Sequence, residues 1–243
     1  MGASHRLRSS FGVRSYTISS PYAMPNIATT DIVSNESLSR AVRKEFTRNH
    51  LMQAALSLMQ TGRSFTSLGI REMAREAGMV PNAFYRHFKT PDALGVALVD
   101  EVGVTLRQLL REARQPGMSS IEMLRRSVRV YYRYVLDNRV LFLFIAGERS
   151  GGSLALRTAI RHEVRHFVDE LMQDMRCMGL YAEMSSPHLR RVCELIINAM
   201  LSAVPDMLDL PTDQATLEPA MLQNFVQQLQ IIFLGASAWR DKP

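Results

Sequence analysis

Cysteine is nearly missing from this 243-residue chain, which has only Cys177 and Cys193. Two thiols cannot build a disulfide framework or a zinc-finger ligand set. They predict two buried thiols in a reducing compartment. Long apolar runs are missing as well. The run from Leu195 to Val204 is interrupted by Asn198 and Ser202, short of the roughly 18 apolar residues of a membrane span. This excludes an integral membrane protein and leaves a cytoplasmic location as the expectation. No segment sustains a period of two, and no internal repeat is found, so neither sheet nor solenoid is indicated. Lysine is scarce: only Lys44, Lys89 and Lys242 among 29 basic residues. No acidic residue precedes Asp31.

What is present is an ordinary globular composition. Hydrophobic residues make up 47% and charged residues 21%, which excludes wholesale disorder and allows one or two domains. The charge is unevenly divided. Residues 1–90 hold 12 Lys and Arg against five Asp and Glu, a balance of +7. Residues 91–243 hold 17 against 18, a balance of −1. A polyanion-binding end joined to a neutral body is the expected organisation.

Residues 1–36 are rich in Arg and Ser and read as an unstructured leader. A start placed too early, with Met24 the candidate start, and an organellar transit peptide are the alternatives. A secretory signal is excluded, because no apolar stretch follows the arginines.

From Ser39 the period is helical. Val42, Phe46, Leu51, Ala54, Ala55, Leu58 and Met59 mark an amphipathic helix that Gly62 ends. Gly69 to Ala77 predicts a short helix stopped by Gly78, and Pro81 opens another that runs to Phe88. Thr90-Pro91-Asp92 supplies a capping hydroxyl, a first-turn proline and an acid for the dipole. That helix should reach Ala113. Ser119 and Glu122 form a capping box for a helix to Leu136. A short apolar helix spans Val140 to Ala146, and Gly151-Gly152 breaks the chain. Leu156, Ile160, Val164, Phe167, Val168, Leu171 and Met175 form one long stripe. Ser186-Pro187 starts a helix reaching Leu208, and Thr216 starts the last, reaching Trp239. The expected fold is all-α, with about nine helices after the leader.

Gly69 to Phe88 has the spacing of a helix-turn-helix, two short helices around Gly78-Met79-Val80. In such a unit the second helix lies in the major groove. Phe84 and Phe88, four apart, should face the core. Asn82, Ala83, Tyr85, Arg86 and His87 are left outward. Asn pairs with adenine, Arg with guanine, and Ala packs on a thymine methyl. Tyr85, His87 and Lys89 suit phosphates, and Arg43, Lys44, Thr47 and Arg48 could reach a neighbouring one. A helical hairpin with a solvated charged face is the alternative from spacing alone.

The run Ile70-Arg71-Glu72-Met73-Ala74-Arg75-Glu76-Ala77-Gly78, then Phe84-Tyr85-Arg86-His87-Phe88 and Lys89, resembles the amino-terminal domain of TetR-family transcriptional repressors. The resemblance covers residues 39–98. It implies an α-helical homodimer that binds a palindromic operator in double-stranded DNA. It implies a DNA-binding domain over 37–90, opened on its reading helix by Pro81, and a ligand-binding and dimerisation domain over 91–243. Ligand binding would move the two readers out of register with their half-sites. No enzyme activity and no cofactor are expected.

Further stretches are similar to the FabR and DesT type of repressor, regulators of unsaturated fatty-acid synthesis. They are Arg63-Ser64-Phe65-Thr66-Ser67-Leu68, Val99-Asp100-Glu101, Leu106-Arg107-Gln108-Leu109, Glu148-Arg149-Ser150-Gly151 and His166-Phe167-Val168-Asp169-Glu170-Leu171. The similarity implies a long-chain acyl thioester such as acyl-CoA as ligand. A repressor responding to another hydrophobic small molecule is the alternative. A body rich in Leu, Met and Phe suits an apolar ligand. Leu106, Tyr131, Tyr134, Phe142, Phe144 and Phe167 are the candidate tunnel walls, with Arg149 or Arg161 at the head group. Dimerisation is expected through the last two helices as a four-helix bundle, using Leu195, Ile196, Ala199, Met200, Phe225, Leu229, Ile232 and Phe233.

His162-Glu163-Val164-Arg165-His166 matches H-E-x-x-H, the zinc metalloprotease signature, with Glu183 a possible third ligand. Val164 lies on the apolar stripe, so the pattern reads as the polar flank of a core helix, and no metal is assigned. A helical scaffold without DNA binding is the third class, disfavoured by the concentrated positive charge.

Overall fold

The computed structural model describes residues 40–114, 117–211 and 217–239. The leader, Met24, Thr216 and Lys242 lie outside the described residues. Ten α-helices and one 3-10 turn are present among those described, and no strand. They are α1 (Arg40–Gln60), the 3-10 turn (Phe65–Ser67), α2 (Ile70–Glu76), α3 (Pro81–Tyr85), α4 (Pro91–Ala113) and α5 (Ser120–Asp137). After these come α6 (Arg139–Glu148), α7 (Leu154–Cys177), α8 (Ser186–Ser202), α9 (Val204–Leu208) and α10 (Leu217–Ala238).

The start signals act as their chemistry requires. Thr90 Oγ accepts the Ala93 amide at 3.1 Å, and Pro91 follows in the first turn of α4. Ser119 and Glu122 close a complete capping box on α5. Two segments end or break earlier than expected by several residues, and one element is additional. The helix expected over 81–88 ends at Tyr85, and Arg86 to Phe88 complete a turn in which Phe88 N donates to Phe84 O. The segment expected from 186 to 208 breaks at Ala203, because Pro205 cannot donate the amide that would continue α8. The 3-10 turn was not expected, since three residues are too few to show a period.

α1 packs on α2, and α2 on α3, around Leu51, Met52, Ala55, Met73 and Phe84, all fully buried. Gly78 has φ +68, a left-handed conformation that places the α2–α3 turn where a side chain would be strained. In the body, α4 runs against α5 and α7, α7 against α8, and α10 against α5 and α8. The seam between the amino-terminal helices and the body is tight. Phe65 of the 3-10 turn meets the ring of Phe144 on α6 at a centroid distance of 4.9 Å. A Cβ on Gly95 of α4 would lie 2.7 Å from Leu156 and 2.9 Å from the Phe65 ring. Only glycine lets α4 come this close.

Two carboxylates sit at the same seam. Ser153 caps α7 and donates to Asp92 Oδ2 at 2.7 Å. Glu148 is buried at the end of α6, and its Oε2 has no hydrogen-bond partner. Burial, then the charge of Asp92, pushes the Glu148 carboxyl above its ordinary range.

The cysteines are split. Cys193 is buried, with its thiol 3.8 Å from the Met175 sulfur, and burial pushes it up to about 12. Cys177 is exposed, which corrects the expectation of two buried thiols. It is the last residue of α7, past the end of the stripe that faces the core.

Candidate nucleic-acid interface and apolar cavity

The α3 helix turns two phenylalanines inward and its polar residues outward. Phe84 and Phe88 are buried, with ring centroids 5.7 Å apart. Pro81, Asn82, Tyr85, Arg86 and Lys89 are exposed, and Ala83 and His87 are partly so. The amino-terminal half of α1 adds Arg43 and Lys44, both exposed, and Thr47 and Arg48, both partly buried. Thr47 Oγ donates to the Arg43 carbonyl at 2.9 Å. The Arg48 guanidinium lies 5.4 Å above the centre of the Phe88 ring and pairs with Glu45 at 3.6 Å.

These groups form one electrostatic neighbourhood. His87 is held below its ordinary pKa by burial first, then by Lys44, Arg48 and Arg86. Its Nδ1 is buried without a partner. The ends of α1 and α3 therefore converge into one basic face, although 33 to 46 residues separate them in the chain. The back of this unit is braced elsewhere: Arg63 pairs with Glu72, and Ser57 donates to Glu76 at 2.7 Å. Val80, just before α3, is 69% exposed beside the polar face. Sequence reasoning missed it, because a valine next to a turn looks like a core residue.

The body holds an apolar cavity of about 320 Å³ between α5, α7, α8 and α10. Leu124, Val128, Leu171, Met175, Ile197 and Leu229 are among its walls, and Arg114 is the single charged residue that lines it. Its outer end is continuous with an open cleft of about 510 Å³ that carries Arg111, Arg114 and Asp174. There Arg114 pairs with Asp174, and Arg111 with Glu170 at 3.0 Å. A second chamber, of about 50 Å³, lies behind Ile197 and Met200, which line both spaces. Tyr131 fixes that partition by donating to the Met200 carbonyl at 3.0 Å. Burial raises its phenol well above the ordinary range, so it stays a donor.

The predicted ligand residues divide evenly. Leu106, Tyr131, Phe142 and Phe167 line the small chamber. The other four line neither space and are corrected here. Tyr134 packs edge-on against Phe142 at 5.8 Å, and Phe144 packs on Phe65. Arg149, half-buried, donates to Asn198 Oδ1 at 2.7 Å, and Arg161, exposed, to Thr158 Oγ at 3.0 Å. Arg114 is the arginine that lines the larger space instead. It could not be found by period, since it follows the last residue of α4.

The residues assigned to dimerisation also divide. Ile196, Met200, Phe225 and Leu229 are buried within the subunit, where α8 and α10 meet α5 and α7. That is a correction, because a face already covered cannot meet a partner. Ala199, Ile232 and Phe233 are half-buried. Leu195 is exposed, as are Ile231 and Leu234, which the sequence did not single out.

The H-E-x-x-H pattern does not converge. His162 and His166 are exposed, and Glu183 is exposed on the loop after α7. Glu163 turns to α4 and pairs with Arg107, which also reaches Glu170 at 3.2 Å and covers the Phe167 ring at 5.4 Å. Among the described residues, no group of three His, Cys, Asp or Glu is placed to hold a metal. No described helix is long and apolar enough to cross a membrane.

Comparison with known proteins agrees with this architecture. Residues 121–228 match the model of a family described as tetracyclin repressor-like, C-terminal domain. A putative TetR-family transcriptional regulator from Rhodococcus sp. superposes with a TM-score of 0.59 at 16% identity, covering 78% of this chain and 99% of its own. A putative TetR-family regulator from Syntrophomonas wolfei gives 0.65 at 11% identity, covering 78% and 96%. The fatty acid degradation regulator FadR from Bacillus halodurans gives 0.59 at 16% identity, covering 80% and 97%. The described residues thus share the all-α fold of solved TetR-type transcriptional regulators, and residues 121–228 are similar to a tetracyclin repressor-like C-terminal domain.

Proposed function

We propose that this protein is a ligand-responsive transcriptional repressor that binds a palindromic operator as a homodimer. The observation that carries the reading is the α3 face. A helix that buries Phe84 and Phe88 presents Asn82, Tyr85 and Arg86 outward, next to the basic start of α1. Such a face suits a major groove flanked by phosphates. In this reading residues 37–90 read DNA and residues 91–243 bind ligand and dimerise. Leu195, Ile231 and Leu234 give α8 and α10 an outward apolar face for the partner subunit.

The ligand is a long-chain acyl thioester. An apolar cavity of about 320 Å³ with one arginine at its mouth suits a hydrocarbon chain with an anionic or polar head. Ligand entry would act on DNA binding through α4, which runs from the capped turn after α3 to the cavity mouth at Arg114. Only a difference in affinity between the two reader arrangements can drive that response.

The test is a DNA shift assay with oleoyl- and palmitoyl-coenzyme A, after native mass spectrometry of protein purified without added ligand. Bound acyl thioester and different effects of the two chains on DNA affinity are expected. Shifted DNA with no acyl binding would keep the repressor and remove the ligand class. Tyr85→Ala should weaken binding to all duplexes alike, whereas Asn82→Ala should relax preference at one base pair by about 1–3 kcal/mol. A uniform loss in both variants would remove Asn82 as a base reader.

A further inference from the structure

Two neighbouring helices of the body treat their arginines differently. On α4, Arg107 pairs with Glu163 and Arg111 with Glu170, and Arg114, just past the helix end, pairs with Asp174. On α5, Arg125, Arg129 and Arg133 recur every four residues along one exposed line, and Arg126 stands half-buried beside them. Among the described residues, no carboxylate comes within ion-pair distance of any of these four. Glu122 is exposed one turn before them, but its Oε2 accepts from the Ser119 amide at 3.0 Å and the Ser119 hydroxyl at 2.6 Å.

Like charges one turn apart weaken a helix, so α5 carries this line at a cost. Arg129 tightens it, because its Nε donates back to the Arg125 carbonyl at 3.4 Å. The Arg126 guanidinium reaches only a weak acceptor, the Met118 sulfur, 3.9 Å from Nη1. Met118 lines the open cleft of about 510 Å³, together with Ser120 and Met123 of the first turn of α5. The same helix turns Leu124 and Val128 into the apolar cavity. The uncompensated arginines thus start at the wall of the cleft and continue away from it along α5.

We propose that the exposed face of α5 holds the phosphates of the ligand's head group, with Arg126 nearest the cleft and Arg125 and Arg129 beyond it. The proposal rests on the reading of the cavity as an acyl thioester site, and it names the carrier of that thioester as coenzyme A. Such a carrier brings two bridging phosphates and one terminal phosphate, about four negative charges at neutral pH. Arg111 and Arg114 line the cleft, but Glu170 and Asp174 already neutralise them. A guanidinium without a carboxylate partner has its forked donors open to a phosphate. From Arg125 to Arg133 the line covers about 12 Å of helix, room for an extended nucleotide. An uncharged thioester with the same chain would fill the cavity and gain nothing from α5.

The test compares dodecanoyl-coenzyme A with dodecanoyl-N-acetylcysteamine, the same thioester without phosphates. Titration calorimetry is run on the wild type, Arg126→Gln and Arg129→Gln, with melting temperature and ligand-free operator affinity as controls. The wild type should bind the coenzyme A thioester more tightly, by a margin that shrinks between about 50 and about 300 mM salt. Each variant should weaken that thioester about tenfold and leave the neutral one and both controls unchanged. Equal affinity of the two thioesters for the wild type, a full margin retained in both variants, or equal loss of both thioesters would overturn the proposal. So would a loss of operator affinity without ligand, which would assign these arginines to DNA. If neither thioester binds any of the proteins, the acyl reading falls and coenzyme A alone decides the surface. Salt-sensitive binding to the wild type that each variant loses would keep the phosphate site, and no binding would overturn it.

Discussion

The amino-terminal helices and the body use their surfaces in opposite ways. α1 to α3 spend their few apolar residues on a small core and leave a polar, basic face outside. The body folds apolar residues around a space and keeps Arg111, Arg114 and Asp174, each in an ion pair, at its rim. A convex surface for a polyanion needs residue types at fixed spacing on one short helix. A cavity needs several helices to leave room between them, and no single segment encodes that.

The sharpest way to break this contrast is Phe84→Ala. Phe84 is fully buried, and its removal should cost about 3–5 kcal/mol. Hydrogen exchange should speed up over α2 and α3 while α7 and α8 keep their protection. Equal loss in all four helices would show one cooperative unit and dissolve the contrast.

Gly95→Ala tests the seam between the two regions. The added methyl meets Phe65 and Leu156 at less than 3 Å, so a loss of about 1–3 kcal/mol is expected in urea melts. DNA binding should change in the same variant while alkyl binding changes little. An unchanged operator affinity would show that the seam does not set the reader's position.

Ser119→Ala removes a capping box that belongs to the body alone. It should cost about 1 kcal/mol and leave DNA affinity intact in anisotropy titrations at low ligand.

The smallest effect should come from Glu148→Gln. The folded state raises this carboxyl above its unfolded value. Below that unfolded value Glu148 is protonated in both states and costs nothing. As pH rises through the folded value, a buried carboxyl must ionise and stability is lost. The variant should therefore match the wild type near about pH 4 and melt higher near about pH 7. A higher melting temperature at both pH values would point to packing instead of charge.

These contrasts also explain what the sequence made legible. The helix spans, the Thr90 and Ser119 caps and the inward pair Phe84 and Phe88 depend on neighbours within one turn, so period and capping chemistry reveal them. The cavity walls do not. Phe142 and Phe144 sit two apart on α6, yet one lines a chamber and the other packs on Phe65. Ile196 and Leu195 are adjacent on α8, and one is core while the other is bare. Apolarity marks burial or contact, and only the packed partners say which. Arg114 and Tyr181 lie just beyond helix ends, where no period applies. The H-E-x-x-H pattern shows the reverse case: the spacing is correct, but Arg107 claims the central acid.

The placement of lysine has a practical consequence for anyone who handles this protein. Between Lys89 and Lys242 the chain has no lysine at all, and Lys44 and Lys89 both lie exposed on the basic amino-terminal face. Among the described residues, amine-reactive dyes, crosslinkers and sensor chips will therefore attach at Lys44 and Lys89, on the face assigned to DNA. A surface prepared that way would report weak operator binding from a healthy protein. Coupling through the exposed thiol of Cys177 would present the other end.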